Sequence, residues 1–190
     1  MANLFGYKIE KTTEIHHGTH NKKVSIWLDS YDDIFSDFDP SPYNQRHISE
    51  DFYNQLRKFG IEDMDGQIEI DLLIDEKKRD IALEKMIHER ILEFFSVHYR
   101  IHKRKRNRIL MQSLLFMLLG TLFILILTLG LKKYDGQLSY ILLIKLLEPA
   151  SWFLSWEGLH LLFFEYVEGK DKEDFHRNMS HAKITFENKI

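Results

Sequence analysis

Apolar residues follow three patterns along this chain, and each predicts a different element. Alternation comes first. In KKVSIWLD, residues 22–29, Val24, Ile26 and Leu28 point one way and Ser25, Trp27 and Asp29 the other, the period of a half-buried strand. Residues 7–15 and 22–28 flank the turn-like HHGTHN and are expected to pair as a hairpin. GQIEIDLLID, residues 66–75, is the clearest strand, with Ile68, Ile70, Leu72 and Ile74 on one face and Glu69 and Asp71 on the other. A last alternating run, AKITFEN, is expected to return to the sheet with Ile184 and Phe186 inward.

Helical spacing is the second pattern. Ser49 is placed to cap a helix through SEDFYNQLRKF that Gly60 ends. A longer helix is predicted from about residue 78, where Leu83, Ile87, Ile91, Phe94, His98 and Ile101 recur at spacings of three and four.

The third pattern is unbroken apolarity. Residues 109–131, ILMQSLLFMLLGTLFILILTLGL, hold 23 positions without a charge, enough for a helix to cross a hydrocarbon core of roughly 30 Å. Apart from Gly120 nothing from 79 to 131 breaks a helix, so a single rod of about 50 residues is expected. A second apolar segment, residues 140–167, follows the turn KKYDGQLS, and a polar helix KDKEDFHRNMSH follows that.

These patterns divide the chain into an α+β domain at 1–104, a basic flank and first transmembrane helix at 105–131, an external turn at 132–139, a second transmembrane helix at 140–167, and a helix and strand at 168–190 that rejoin the sheet. The expected fold class is thus a small sheet-plus-helix domain on a two-helix transmembrane hairpin, with the first span continuous with a long cytoplasmic helix.

Charge refines this. Residues 1–100 carry a net −7 and residues 101–190 a net +4. An acidic domain repels phosphate, which argues against nucleic acid as a partner. The cations Lys103, Arg104, Lys105, Arg106 and Arg108 stand where anionic lipid headgroups would meet the first span. With Lys170, Lys172 and Arg177 they outnumber Lys132 and Lys133 of the turn, so both termini are expected in the cytoplasm and the hairpin in the inner (plasma) membrane. The first residues lack a basic region followed by an apolar run, and the first span is expected to serve as the insertion signal. The chain has no cysteine, which excludes disulfides, zinc–thiolate sites and thiol nucleophiles.

The second span carries Lys145, Glu148, Glu157 and His160. Lys145, Glu148, Trp152, Ser155, Trp156 and Leu159 fall within about one third of the helix circumference. Lys145 and Glu148 are spaced to pair along the helix, and Pro149 is expected to kink or interrupt it. In one reading Lys145 snorkels outward and Glu157 and His160 lie near the inner headgroups. In the other, Lys145, Glu148, Trp152, Trp156, Glu157 and His160 face other copies and line an interface or narrow pore. A re-entrant segment broken at Pro149 is a third.

In the soluble part Asp29, Asp32, Asp33, Asp37 and Asp39 form the densest chemistry. They suit a hard cation or a basic partner, although the spacing is not that of an EF-hand. The competing reading has them capping turns and pairing with Arg46, Arg57 and Lys58. The interleaved Tyr31, Phe35, Phe38 and Tyr43 suggest a loop that packs. His16, His17 and His20 are weak metal candidates on a turn without a carboxylate. Glu69 and Asp71 share a strand face and more often pair with Lys183 than catalyse. With no nucleophile elbow, phosphate loop, dinucleotide fingerprint or HExxH in the chain, no catalytic residue, metal or cofactor is expected. A membrane enzyme acting on lipid through Glu157 and His160 ranks third among the readings.

The run LDSYDDIFSDFDPSPYNQRHISEDF, residues 28–52, resembles a signature of small uncharacterised prokaryotic two-helix membrane proteins. In these an Asp-rich segment precedes a helix, a strand and a hairpin whose second helix is Trp-rich. WFLSWEGL, residues 152–159, corresponds to that helix. The resemblance implies architecture and no activity. The functional expectation is a non-enzymatic homo-oligomer whose cytoplasmic domain senses or docks a partner, with defence or stress as its setting by analogy. The alternative is a membrane-anchored scaffold that recruits a soluble partner through the Asp-rich loop.

Overall fold

The computed structural model describes residues 22–58, 68–131 and 138–188. The expected first strand at 7–15, the HHGTHN histidines and Gly60 lie outside them. The chain divides into two units, one of residues 1–100 with 171–190 and the other of residues 101–170.

The first unit is built on three parallel strands in the order β1 (Lys22–Trp27), β2 (Ile68–Ile74), β3 (Lys183–Asn188). Parallel neighbours need long crossovers. The first contains α1 (Glu50–Lys58), and the second contains the other α-helices of the described residues. In register, Val24, Ile70 and Ile184 lie side by side, as do Ser25, Asp71 and Thr185. Val24, Ile26, Ile68, Ile70, Leu72, Ile74 and Ile184 are buried with Phe52 and Leu56 of α1. The Ser49 hydroxyl accepts the Asp51 N–H at 3.2 Å and caps that helix.

The outer sheet face departs from expectation at Asp71. It is 3 % exposed, with Lys23 Nζ at 2.5 Å and the Thr185 hydroxyl donating at 2.5 Å. Glu69 pairs with Lys183 at 3.2 Å. A central-strand carboxylate is covered by its flanking strands and holds its charge through them, and the Asp71 hydrogen bond raises the Lys23 ammonium above its ordinary range.

The long helix α2 spans Ile81–Leu131. It starts later than the expected residue 78, because Glu76–Lys78 form a 3-10 turn and the Asp80 carboxylate accepts the Ala82 and Leu83 N–H groups at 2.9 and 3.1 Å. The buried stripe is also rotated from expectation. Ile87, Ile91 and Phe95 are fully covered and Glu84 is buried beside them, whereas Phe94 is half-buried and Ile101 exposed. Phe95 stands four residues after Ile91 and continues the 87–91 row, which Phe94 leaves.

In the second unit α3 (Leu138–His160) follows. Its backbone passes through Pro149 as helix, so the expected interruption does not occur. A π-helical turn, Leu161–Glu165, joins it without a break to α4 (Tyr166–Met179). The polar helix expected as a separate element is therefore the continuation of the second apolar one. Both runs contain stretches long and apolar enough to cross a membrane, with mean hydropathies of 2.5 and 1.3. Their large side chains point outward: Leu118, Leu129, Leu146 and Phe153 are each more than 60 % exposed. A core helix of a water-soluble protein would bury such residues.

Candidate functional site

The contact of α2 with α3 is made by small residues. A Cβ at Gly158 would lie 2.6 Å from Met117 Cγ and 3.0 Å from the Ser113 carbonyl oxygen. A Cβ at Gly120 would collide with the Ser155 hydroxyl and stand 3.0 Å from the Ser151 carbonyl oxygen. Backbone therefore approaches backbone, as in lipid-embedded helix pairs, where no hydrophobic force draws helices together and close packing does. Ser113, fully buried, donates to the Gly158 carbonyl at 2.7 Å, and the Tyr140 hydroxyl donates to the Leu127 carbonyl at 3.2 Å. Ser151 turns its hydroxyl back to the Leu147 carbonyl at 2.6 Å, which satisfies its own donor within the helix. This seam was legible as Gly and Ser at helical spacing, Ser113 and Gly120 against Ser151, Ser155 and Gly158, a signal that the charged residues nearby masked.

Because the seam occupies that side of α3, the charged face turns away from α2. Lys145, Glu148, Trp152, Trp156 and His160 are exposed and Glu157 is half-buried. Trp152 and Trp156 are 71 % and 67 % exposed. The expected Lys145–Glu148 pair within one helix is not formed, and neither side chain has a hydrogen-bond or ion-pair partner among the described residues. The order of the pair accounts for this, since a lysine preceding an acid opposes the helix dipole and pairs less well than the reverse. Ser155 leaves the expected stripe and joins the seam. His160 stacks on Phe164 at 5.3 Å, one turn into the π-helical segment.

At the other end of these spans Lys103, Arg104, Lys105 and Arg108 are exposed, while Arg106 is half-buried. Its guanidinium lies 5.1 Å from the Tyr166 ring centre, and its stem passes over Gly169. The aromatic face of Tyr166 thus holds this cation.

The Asp-rich loop is closed by a bridge between Phe35 and Ile48. Three of its five aspartates are spent inside it. Asp33 accepts the Asp29 and Ser30 N–H groups at 2.6 and 3.1 Å. Asp32 accepts from Arg46 at 2.6 Å and from the Tyr43 hydroxyl at 3.0 Å. Asp39 accepts the Ser41 and His47 N–H groups at 3.0 and 2.8 Å and lies 2.5 Å from His47 Nδ1. Hydrogen bonds from the Ser41 side chain, then from His47, hold its carboxyl well below the usual carboxylate range. Asp29 and Asp37 are exposed. Among the described residues no three His, Asp or Glu side chains stand together as metal ligands. Tyr31 and Phe35 pack as expected, but Phe38 does not: it is 97 % exposed, between Asp37 and Asp39.

Two clusters escaped the sequence reading. Glu84 accepts from Nε and Nη2 of Arg79 at 2.8 and 2.9 Å and from the Tyr31 hydroxyl at 3.0 Å, and Nη1 of Arg79 donates to Asn188 at 2.8 Å. The Asp-rich loop, the start of α2 and the end of β3 are thereby tied together. A charge three residues before Ile87 on the core-facing row was the available signal. The second cluster is aromatic. His176 is 2 % exposed and its ring stacks on His98 at 5.7 Å. Its Nδ1 lies 2.6 Å from the Lys172 carbonyl and so carries a proton, since a carbonyl only accepts. The Tyr53 hydroxyl faces its Nε2 at 3.3 Å.

No protein-family model, curated protein or solved structure matches this chain.

Proposed function

We propose that this chain is a non-enzymatic, homo-oligomeric integral membrane protein of the inner (plasma) membrane, with both termini in the cytoplasm. Its α+β unit docks or senses a partner, and its α3 helices meet across an interface or pore between copies. The reading rests chiefly on the direction of the charged face of α3. Lys145 and Glu148 lie in an apolar helix and point away from the helix it packs on. Each charge left near a bilayer centre costs about 2.5–3.5 kcal/mol. A face with two of them flanked by exposed tryptophans fits protein or a water-filled path better than lipid. Two helices enclose no channel, so conduction requires several copies.

Reconstitution of the full chain in planar bilayers tests this. The expected outcome is an ion current whose size or ion preference changes in Lys145→Leu and in Glu148→Leu. Absence of current removes the pore, and a strict monomer in nanodiscs removes the oligomer as well.

A second reading, a scaffold without conduction, is favoured by Phe38. An aromatic side chain held almost fully in solvent beside the engaged Asp39 resembles an anchor awaiting a partner's pocket. Loss of a copurifying soluble protein on Phe38→Ala, with the current unchanged, would favour that reading.

A further inference from the structure

We infer that copies of this chain recognise one another through a reciprocal ion pair, Lys145 of one copy with Glu148 of its neighbour. The inference deepens the oligomer reading and rests on it. Both side chains are exposed on one flank of α3, and neither has a partner among the described residues. The seam against α2 is already filled by Gly120, Ser151, Ser155 and Gly158, so the described residues of the hairpin offer the pair no partner and a neighbouring molecule can.

A second copy fits by charge and by depth. Every copy enters the bilayer in the same direction, so α3 helices of neighbours run parallel with equal residues at equal depth. Lys145 and Glu148 are three residues apart, about 4.5 Å along the axis and about 60° around it. A lysine stem covers that rise easily. The lysine of each copy therefore meets the glutamate of the next, and the face is complementary to itself. A two-fold pair forms the contact twice, and a closed ring forms it once per interface. In the same copy the pair is in the poorer order along the helix, which leaves both groups available to the neighbour. Trp152 and Trp156, on the same flank and exposed, would screen the pair from lipid.

Charge reversal of the full chain in lipid vesicles, with energy transfer between differently labelled copies as the readout of association, tests the pairing. Lys145→Glu alone and Glu148→Lys alone should each weaken self-association by about tenfold or more. Mixing these two variants should restore association, because an all-acidic face then meets an all-basic one. The exchange of both residues in one chain should restore it too. If the wild-type chain associates and both single variants associate equally well, the pairing is wrong and the oligomer stands. If the wild-type chain is monomeric, both fall. Should a single variant fail to insert, the double exchange still decides: its failure to associate where the wild type does overturns the pairing.

Discussion

Glu84 ties the Asp-rich loop to the start of α2 in the sheet-bearing unit. It is a carboxylate on the buried row of α2, and Arg79 above all, followed by the Tyr31 hydroxyl, lowers its pKa. The folded carboxyl therefore ionises below the value of about 4.3 that it has in the unfolded chain. Its contribution to stability is complete above that unfolded value and is lost as pH falls through the folded one. Denaturant unfolding of the detergent-solubilised chain should show Glu84→Gln less stable by about 1–3 kcal/mol at neutral pH. The gap between variant and wild type should close as the solution is acidified through the carboxylate range. Two curves that stay parallel to low pH would show that the Arg79 contact stabilises nothing. The same measurement sorts the aspartates of the loop. Asp33 holds two backbone N–H groups as a cap, so Asp33→Ala should cost about 0.5–2 kcal/mol. Asp37 is exposed, and Asp37→Ala should stay within about 0.5 kcal/mol of wild type.

Between elements, the α2–α3 seam allows two effects to be ranked. The Ser113 hydroxyl donates across it, but such bonds in membrane proteins average only about 0.6 kcal/mol, because the separated helices find other partners. Gly158 is different. Its close neighbours include the Met117 nitrogen and the Ser113 carbonyl, backbone atoms that cannot rotate aside. Gly158→Ile should therefore part the helices, at a cost of about 1–3 kcal/mol or more, while Ser113→Ala should leave them together. Cross-linking between cysteines introduced at Leu127 and Tyr140, in a chain that has none of its own, reads the difference. Equal loss in both variants would mean that the hydrogen bond, not the close approach, holds the seam. Elements were legible where one periodicity dominated, as in β1, β2, α1 and the apolar run of α2. Their partners were less so. Asp71 looks solvent-facing in the β2 alternation, and only the parallel register shows that β1 and β3 cover it. Phe94 and Phe95 cannot be ranked until α2 is rotated against the sheet. Pro149 removes only the N–H that would bond the Lys145 carbonyl, and the rest of the ladder carries the helix through it. On α3 the charged residues mark the outward flank, whereas the packing surface consists of glycine and serine.

At the scale of the whole chain, sheet topology constrains membrane topology. β2 and β3 are hydrogen-bonded neighbours, yet everything between them in sequence includes both apolar helices. If those helices cross a bilayer, they must cross it twice, because a single crossing would put β3 on the opposite side from β2. Charge then predicts the side. The cations of residues 100–108 outnumber Lys132 and Lys133 of the segment between the apolar runs, a bias that favours a cytoplasmic position for the sheet-bearing unit in the orientation proposed above. Reporter tags on either terminus should thus be shielded from protease in intact cells and cut after permeabilisation, and a cysteine introduced at Asp135 should react with an impermeant thiol reagent from outside. Changing Lys103, Arg104, Lys105, Arg106 and Arg108 to glutamine while adding lysines to the turn should weaken the preference or invert it, with the two termini moving together. Termini found on opposite sides would be incompatible with the β2–β3 ladder in a membrane-crossing chain. An orientation indifferent to these charges would mean that the folded unit, too bulky to translocate, fixes the side by itself.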